Sequence, residues 1–159
     1  MRLGVGYAAQ EGGLFPALTV AENLRLAELN ASDRGRKRLA EFRNQFPLID
    51  DKGSQPATNL SGGQQQIVKT LRALASADRL LLLDEPSQGV QPTVAGALIG
   101  LVRRTARETQ CSVVLAEQAI DFALRTSHRW VLLENGRIEG TGLSTDDGVR
   151  RRLQEHLMI

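Results

Sequence analysis

Four consecutive leucines, Leu80–Leu83, run into two adjacent carboxylates, Asp84 and Glu85, and then into Pro86. The run lies between Asp78 and Pro86 and is too short for a helix, so it predicts a strand buried on both faces. Adjacent residues leave a strand in opposite directions, and the two acids can divide labour where the strand opens into a crevice. One can hold a Mg²⁺ ion through its water shell while the other polarises an attacking water. Strands also end in acidic residues for no catalytic reason, so a plain strand-end turn stays open on this feature alone.

The surrounding sequence tells what such a strand packs against. Leu3–Ala9 reads as a short strand entering a loop with Gln10, Gly12, Gly13 and Pro16. Thr19 and Glu22 have capping-box spacing and open a helix to about Leu29. A second, strongly charged helix starts at Ser32 or Asp33 and stops before Pro47, and residues 47–59 read as a loop. Ser61 and Gln64 form a second capping box, before a helix with a one-sided stripe of Ile67, Val68, Leu71, Leu74 and Ala75. Pro92 suits the first turn of a helix to about Thr109. Ser112–Ala116 reads as another buried strand, followed by a helix near Ile120–Thr126. A strand at Trp130–Leu133 meets Ile138 through Asn135-Gly136, a hairpin signal. A last helix covers about Asp147–Leu157. Strands alternating with helices predict an α/β fold with a parallel, helix-covered sheet, whose ligands bind at the carboxyl ends of the strands. Asp84, Glu85, Glu117 and Gln118 stand at such ends.

Composition excludes several classes. The 159 residues, 42% hydrophobic and 24% charged, fit a globular domain able to bury a core without disulfides. The single cysteine, Cys111, reads as a small buried hydrophobe, which suits a reducing compartment. No apolar stretch approaches the ~20 residues of a membrane span, and the segment starting Met1-Arg2 lacks the apolar region of a signal peptide. A net charge of +2 with only 4% aromatics gives no nucleic-acid stripe, and the clusters Arg34, Arg36, Lys37, Arg38 and Arg150–Arg152 read as solvated helix faces. His128 and His156 lack neighbours at metal-ligand spacing. Trp130 reads as packing.

Leu60-Ser61-Gly62-Gly63-Gln64-Gln65-Gln66 adds a specific element. A serine and two glycines at a helix N-terminus expose N–H groups and the positive end of the dipole, which suits a phosphate. A plain N-cap after a flexible turn would explain Ser61 but not the rest of the run. Together, LSGGQQQ and LLLLDEP resemble the signature and Walker B motifs of ATP-binding-cassette ATPases. Upstream, GYAAQEGGLFPALTVAENL resembles the Q-loop of that family. Ser87–Pro92 falls at the D-loop and Val113–Gln118 at the switch. Gln91 and Gln118 stand where most cassettes have Asp and His. With LFPALTVAENL and Val131–Gly142, these departures resemble branched-chain amino-acid importers and the related urea and short-amide importers.

The resemblance implies a P-loop NTPase-like cassette: a helical subdomain over about residues 17–75 carrying the signature motif, and a catalytic core over 1–16 and 76–159. It implies that Gln10 touches Mg²⁺ and the attacking water while its loop meets the permease. Ser61, Gly62, Gly63 and Gln64 would bind the γ-phosphate end of an ATP held by an opposite subunit. Asp84 would position Mg²⁺, Glu85 would be the general base, and Gln118 would sense the γ-phosphate. Glutamine cannot take a proton near neutral pH as histidine can, which speaks against a proton relay there. Cofactors would be ATP and Mg²⁺. Partners would be a second cassette subunit, transmembrane permease subunits and, indirectly, a solute-binding protein, without nucleic acid. The location would be the cytoplasmic face of the membrane.

The phosphate-loop pattern GxxxxGK[ST] does not occur in these residues. In the family it precedes the Q-loop, so the resemblance implies that the front part of the cassette is absent. Its strand would lie between Ser112–Ala116 and Trp130–Leu133. The expectation is therefore a chain inactive and poorly folded by itself. Three functional readings remain: a transporter ATPase, a non-catalytic partner that completes another cassette's ATP site through Ser61–Gly63, and a cassette acting on DNA or ribosomes.

Overall fold

The structure, a computed structural model, describes residues 3–157. The reading of Met1-Arg2 and the last two residues of the expected core lie outside them. The elements in order are β1 (Val5–Ala8), α1 (Val20–Asn30), α2 (Asp33–Arg43), α3 (Pro47–Asp51), a 3₁₀ turn (Ala57–Asn59), α4 (Gly62–Ser76) and β2 (Leu80–Asp84). They continue with α5 (Pro92–Thr109), β3 (Ser112–Ala116), α6 (Ile120–Thr126), β4 (Arg129–Glu134), β5 (Arg137–Leu143) and α7 (Val149–Leu157). No helix among the described residues is long and apolar enough to cross a membrane.

The sheet order is β1-β2-β3, all parallel, with Gly6, Leu81 and Val113 in one row and Ala8, Leu83 and Leu115 in the next. Both crossovers step in the same direction, so right-handed connections place α4 and α5 on one face. That face carries Leu81 and Leu83, buried with Val68, Leu71 and Leu74 of α4 and Leu98, Leu101 and Val102 of α5. A side chain at Gly6 would run into the carbonyl of Ala73, so glycine lets the β1 and α4 backbones come close. The opposite face is open. Leu80 and Leu82 are only half-buried there, and Tyr7 and Val114 are 60% and 58% exposed. Burial of Leu80–Leu83 and Ser112–Ala116 on both faces is thus corrected: among the described residues, helices cover one side alone.

β3 is the sheet edge and does not pair with β4, which forms a separate antiparallel hairpin with β5. Asn135 and Gly136 both have positive φ, as a two-residue turn of this kind requires. The Trp130 ring packs against Gly140 and Gly142 across the hairpin, with Nε1 donating to the Leu143 carbonyl at 3.2 Å.

Two further readings are corrected. Residues 47–59 are not a plain loop, because Pro47 starts the short helix α3 and the chain then returns to bridge Thr19 through Pro56. Arg38 is not on a solvated face. It is 4% exposed, and its guanidinium donates to the carbonyls of Leu74 (2.9 Å) and Ala77 (3.1 Å) at the end of α4, beside Asp78. The Leu74 carbonyl also accepts the N–H of the capping residue Ala77 at 3.3 Å, and a cation suits that end of the helix dipole. Arg34, Arg36 and Lys37 are exposed, and Cys111 is buried.

Candidate functional site

The carboxyl ends of β1, β2 and β3 lie side by side, and each delivers one polar residue to the same place. β1 ends at Ala8 and leads to Gln10, β2 leads through Asp84 to Glu85, and β3 leads through Glu117 to Gln118. The Glu85 N–H donates to the carbonyl of Ala116 at 2.9 Å, which carries the ladder one step past β2. Glu85 then turns into the left-handed region, with φ +45°. For a non-glycine residue this costs about 1–3 kcal/mol and marks a position held by its surroundings.

The Glu85 carboxylate is gripped at both oxygens. Gln118 Nε2 donates to Oε1 at 2.6 Å, and Gln10 Nε2 donates to Oε2 at 3.3 Å. Glu85 is half-buried, whereas Gln10 and Gln118 are exposed. A carboxylate held in this orientation at the carboxyl end of a parallel sheet can accept a proton from a water placed over it. Gln118 can only hydrogen-bond.

Gln10 is itself secured from α4. Lys69 Nζ donates to its carbonyl at 2.8 Å, and Arg72 donates to the carbonyl of Gly13 while lying over the Phe15 ring. Burial pushes the Lys69 ammonium below the usual lysine range, partly offset by the nearby Glu11. The reading of the sequence missed Lys69. Its signal was a lysine beside Val68 and Leu71 in an otherwise apolar stretch of α4.

Ser61, Gly62, Gly63 and Gln64 stand apart from this cluster, at the N-terminus of α4. The Ser61 hydroxyl accepts from the Gln64 N–H at 3.4 Å, and Gln64 Oε1 accepts from the Ser61 N–H at 3.0 Å. Ser61 and Gly62 are exposed. A side chain at Gly63 would collide with the carbonyl of Gly89, so the turn before α4 is pressed against the loop that follows the two acids.

Asp84 fits a hard cation. Among the described residues its carboxylate accepts no hydrogen bond, and Gln10, having given its Nε2 to Glu85, keeps Oε1. A carboxylate and an amide oxygen suit Mg²⁺, which keeps several waters and takes further ligands from substrate phosphates. No group of three or more His, Cys, Asp or Glu that could cage a metal occurs among the described residues.

Comparison with known proteins bears on the family and the fold. The family model described as ABC transporter matches residues 1–88. The high-affinity branched-chain amino acid transport ATP-binding protein BraG of Pseudomonas aeruginosa is 34% identical over 155 residues, covering 94% of this chain and 66% of BraG. The glycine betaine uptake system ATP-binding protein YehX of Escherichia coli is 36% identical over 145 residues, covering 89% of this chain and 47% of YehX. The chain thus spans about half to two thirds of the length of these curated relatives. A solved ATP binding subunit of an ABC transporter superposes with TM-score 0.78 at 25% identity, over 97% of this chain and 68% of that one. A dimeric post-hydrolysis ATP-binding cassette bound to ADP and Pi superposes with TM-score 0.73 at 26% identity, over 89% of this chain and 63% of that one. A family model over more than half of the chain and a relative 34% identical over 94% of it agree: the chain belongs to the ABC transporter family.

Proposed function

We propose that this chain is the ATP-hydrolysing part of an importer subunit for amino acids or a related small solute, with Glu85 as the general base. The single observation that carries this reading is the Glu85 carboxylate, fixed at both oxygens by Gln118 and Gln10. Asp84 and Gln10 would position Mg²⁺, which shields phosphate charge when bound. Residues 17–75 act as the helical unit. Its Ser61–Gln64 turn faces the γ-phosphate of an ATP on a second cassette subunit, as the dimeric arrangement of the relative with ADP and Pi supports. Permease subunits would hold the chain at the cytoplasmic face of the membrane, with a solute-binding protein acting outside. The likeness to BraG and the Gln118 switch favour branched-chain amino acids, or urea and short amides, as the solute.

The test is ATP hydrolysis by the complete transporter assembly with Glu85→Gln. Loss of a general base lowers turnover by about 10²–10⁴-fold, with the KM for ATP little changed. Unchanged turnover would overturn the assignment.

A second reading is favoured by the exposed Ser61-Gly62 turn, which shares no hydrogen bond with the Glu85 cluster. In it, the Ser61–Gln64 turn completes the ATP site of another cassette while Asp84 and Glu85 stand idle. Glu85→Gln would then leave turnover intact, and Ser61→Arg would abolish it.

A further inference from the structure

Glu117 is the neighbour of Gln118 in the chain, and its side chain hydrogen-bonds to neither Gln118 nor Glu85. It follows the last residue of β3 and precedes Gln118. One carboxylate oxygen, Oε2, accepts the N–H of Ser87 at 3.2 Å, two residues beyond Glu85. The other, Oε1, accepts the N–H of Ala119 at 3.0 Å, immediately after Gln118. One side chain therefore joins the backbone leaving Glu85 to the backbone leaving Gln118.

The residue type suits this task. Two N–H donors approach from different loops, and an ionised carboxylate offers an acceptor to each. Glutamine has one acceptor oxygen and would turn its NH₂ toward one of the two donors. Gln118 is exposed and bonds to no other described side chain, so little besides its backbone fixes its reach toward Glu85. That backbone is what Glu117 holds. The Ser87 end carries the same constraint to the loop through Gly89, which lies against Gly63.

We propose that Glu117 is a positioning residue for hydrolysis: its carboxylate fixes the Gln118 backbone and the Ser87–Gln91 loop relative to each other, so that Gln118 meets Glu85. The proposal rests on the reading of Glu85 as the general base.

Two measurements test it, with Glu117→Ala and Glu117→Gln. The first is amide hydrogen exchange on the complete transporter assembly. Exchange at Ser87 and Ala119 rises in Glu117→Ala and rises at one of the two in Glu117→Gln, while α5 and the hairpin are unchanged. The second is turnover in the complete assembly. The kcat falls between tenfold and about 10²-fold, as for a small misplacement of a reacting group, with the KM for ATP and the unfolding midpoint as in the wild type. Glu117→Gln falls between the two. Unchanged exchange at Ser87 and Ala119 in Glu117→Ala would overturn the proposal, and so would faster exchange with wild-type kcat. Normal turnover in Glu85→Gln would instead refute the base assignment, and exchange would still decide whether Glu117 joins the two loops.

Discussion

Gln118 donates its side-chain amide to Oε1 of Glu85 at 2.6 Å, across a separation of 33 residues. The donor carries no ionisable proton, so the acid beside it feels no change of charge from this neighbour near neutral pH. Gln118→His introduces one. An imidazole titrates at about 6.5, and a carboxylate neighbour favours its cationic form. The cation pairs with the Glu85 carboxylate and competes with the water that the carboxylate would polarise, so turnover in the variant falls as pH drops through the imidazole pKa. A pH–rate profile from about 5.5 to 8 shows this inflection in the variant and not in the wild type.

The glycine pair in the α4 turn separates under substitution. A side chain at Gly62 meets nothing within 4 Å, whereas one at Gly63 meets the Gly89 carbonyl. Gly63→Ala costs about 1–3 kcal/mol of overpacking and lowers the unfolding midpoint. Gly62→Ala leaves it within error of the wild type. Thermal or urea unfolding of the two variants, side by side, reads the difference.

Arg38→Ala strips the guanidinium from two carbonyls at the end of α4. The Leu74 carbonyl keeps the Ala77 N–H at 3.3 Å, but the buried Ala77 carbonyl is left without a partner among the described residues, which costs about 1–3 kcal/mol, so the urea midpoint falls. Arg38→Lys recovers part of the loss with a single point donor. Equal midpoints for Arg38→Ala and the wild type would contradict the buried cap.

Glu22 supplies a pH dependence. Its carboxylate accepts from the Thr19 N–H at 2.8 Å and the Thr19 hydroxyl at 2.9 Å, and these bonds, the backbone one first, hold its pKa below the usual glutamate range. The depressed folded value means that its stabilisation is complete above the usual glutamate pKa and is lost as pH falls through the lowered folded value. Glu22→Gln removes that component, so its stability curve is flatter across this acidic window. Acid titration of the unfolding midpoint checks it.

Much of the fold is written in local chemistry. Pro92 announces the start of α5, Ser61 and Gln64 cap α4, and Asn135-Gly136 forces the hairpin, because each acts within a few residues of itself. What depends on distant neighbours was not legible. Arg38 looks like its exposed neighbours Arg36 and Lys37 until α4 is laid across α2. The open face of β3 follows from the direction of two crossovers rather than from its apolar side chains. At the candidate site, Gln10, Glu85 and Gln118 were nameable from motifs, although Gln10 lies 75 residues before Glu85 and Gln118 33 residues after it. Lys69 was not, since its role is set by a backbone carbonyl, and a carbonyl leaves no mark in sequence.

The course of α4 has a mechanical consequence. Its 15 residues make a rod about 22 Å long, gripped at its far end by Arg38 and fastened midway to the Gln10–Phe15 loop by Lys69 and Arg72. Pivoting such a rod by about 5° at the Arg38 end swings the Gly62 tip by about 2 Å and drags the loop along by a smaller throw. The glutamine facing Glu85 is thereby geared to the tilt of α4, and the contact of Gly63 with Gly89 passes the same movement to the loop behind the two acids.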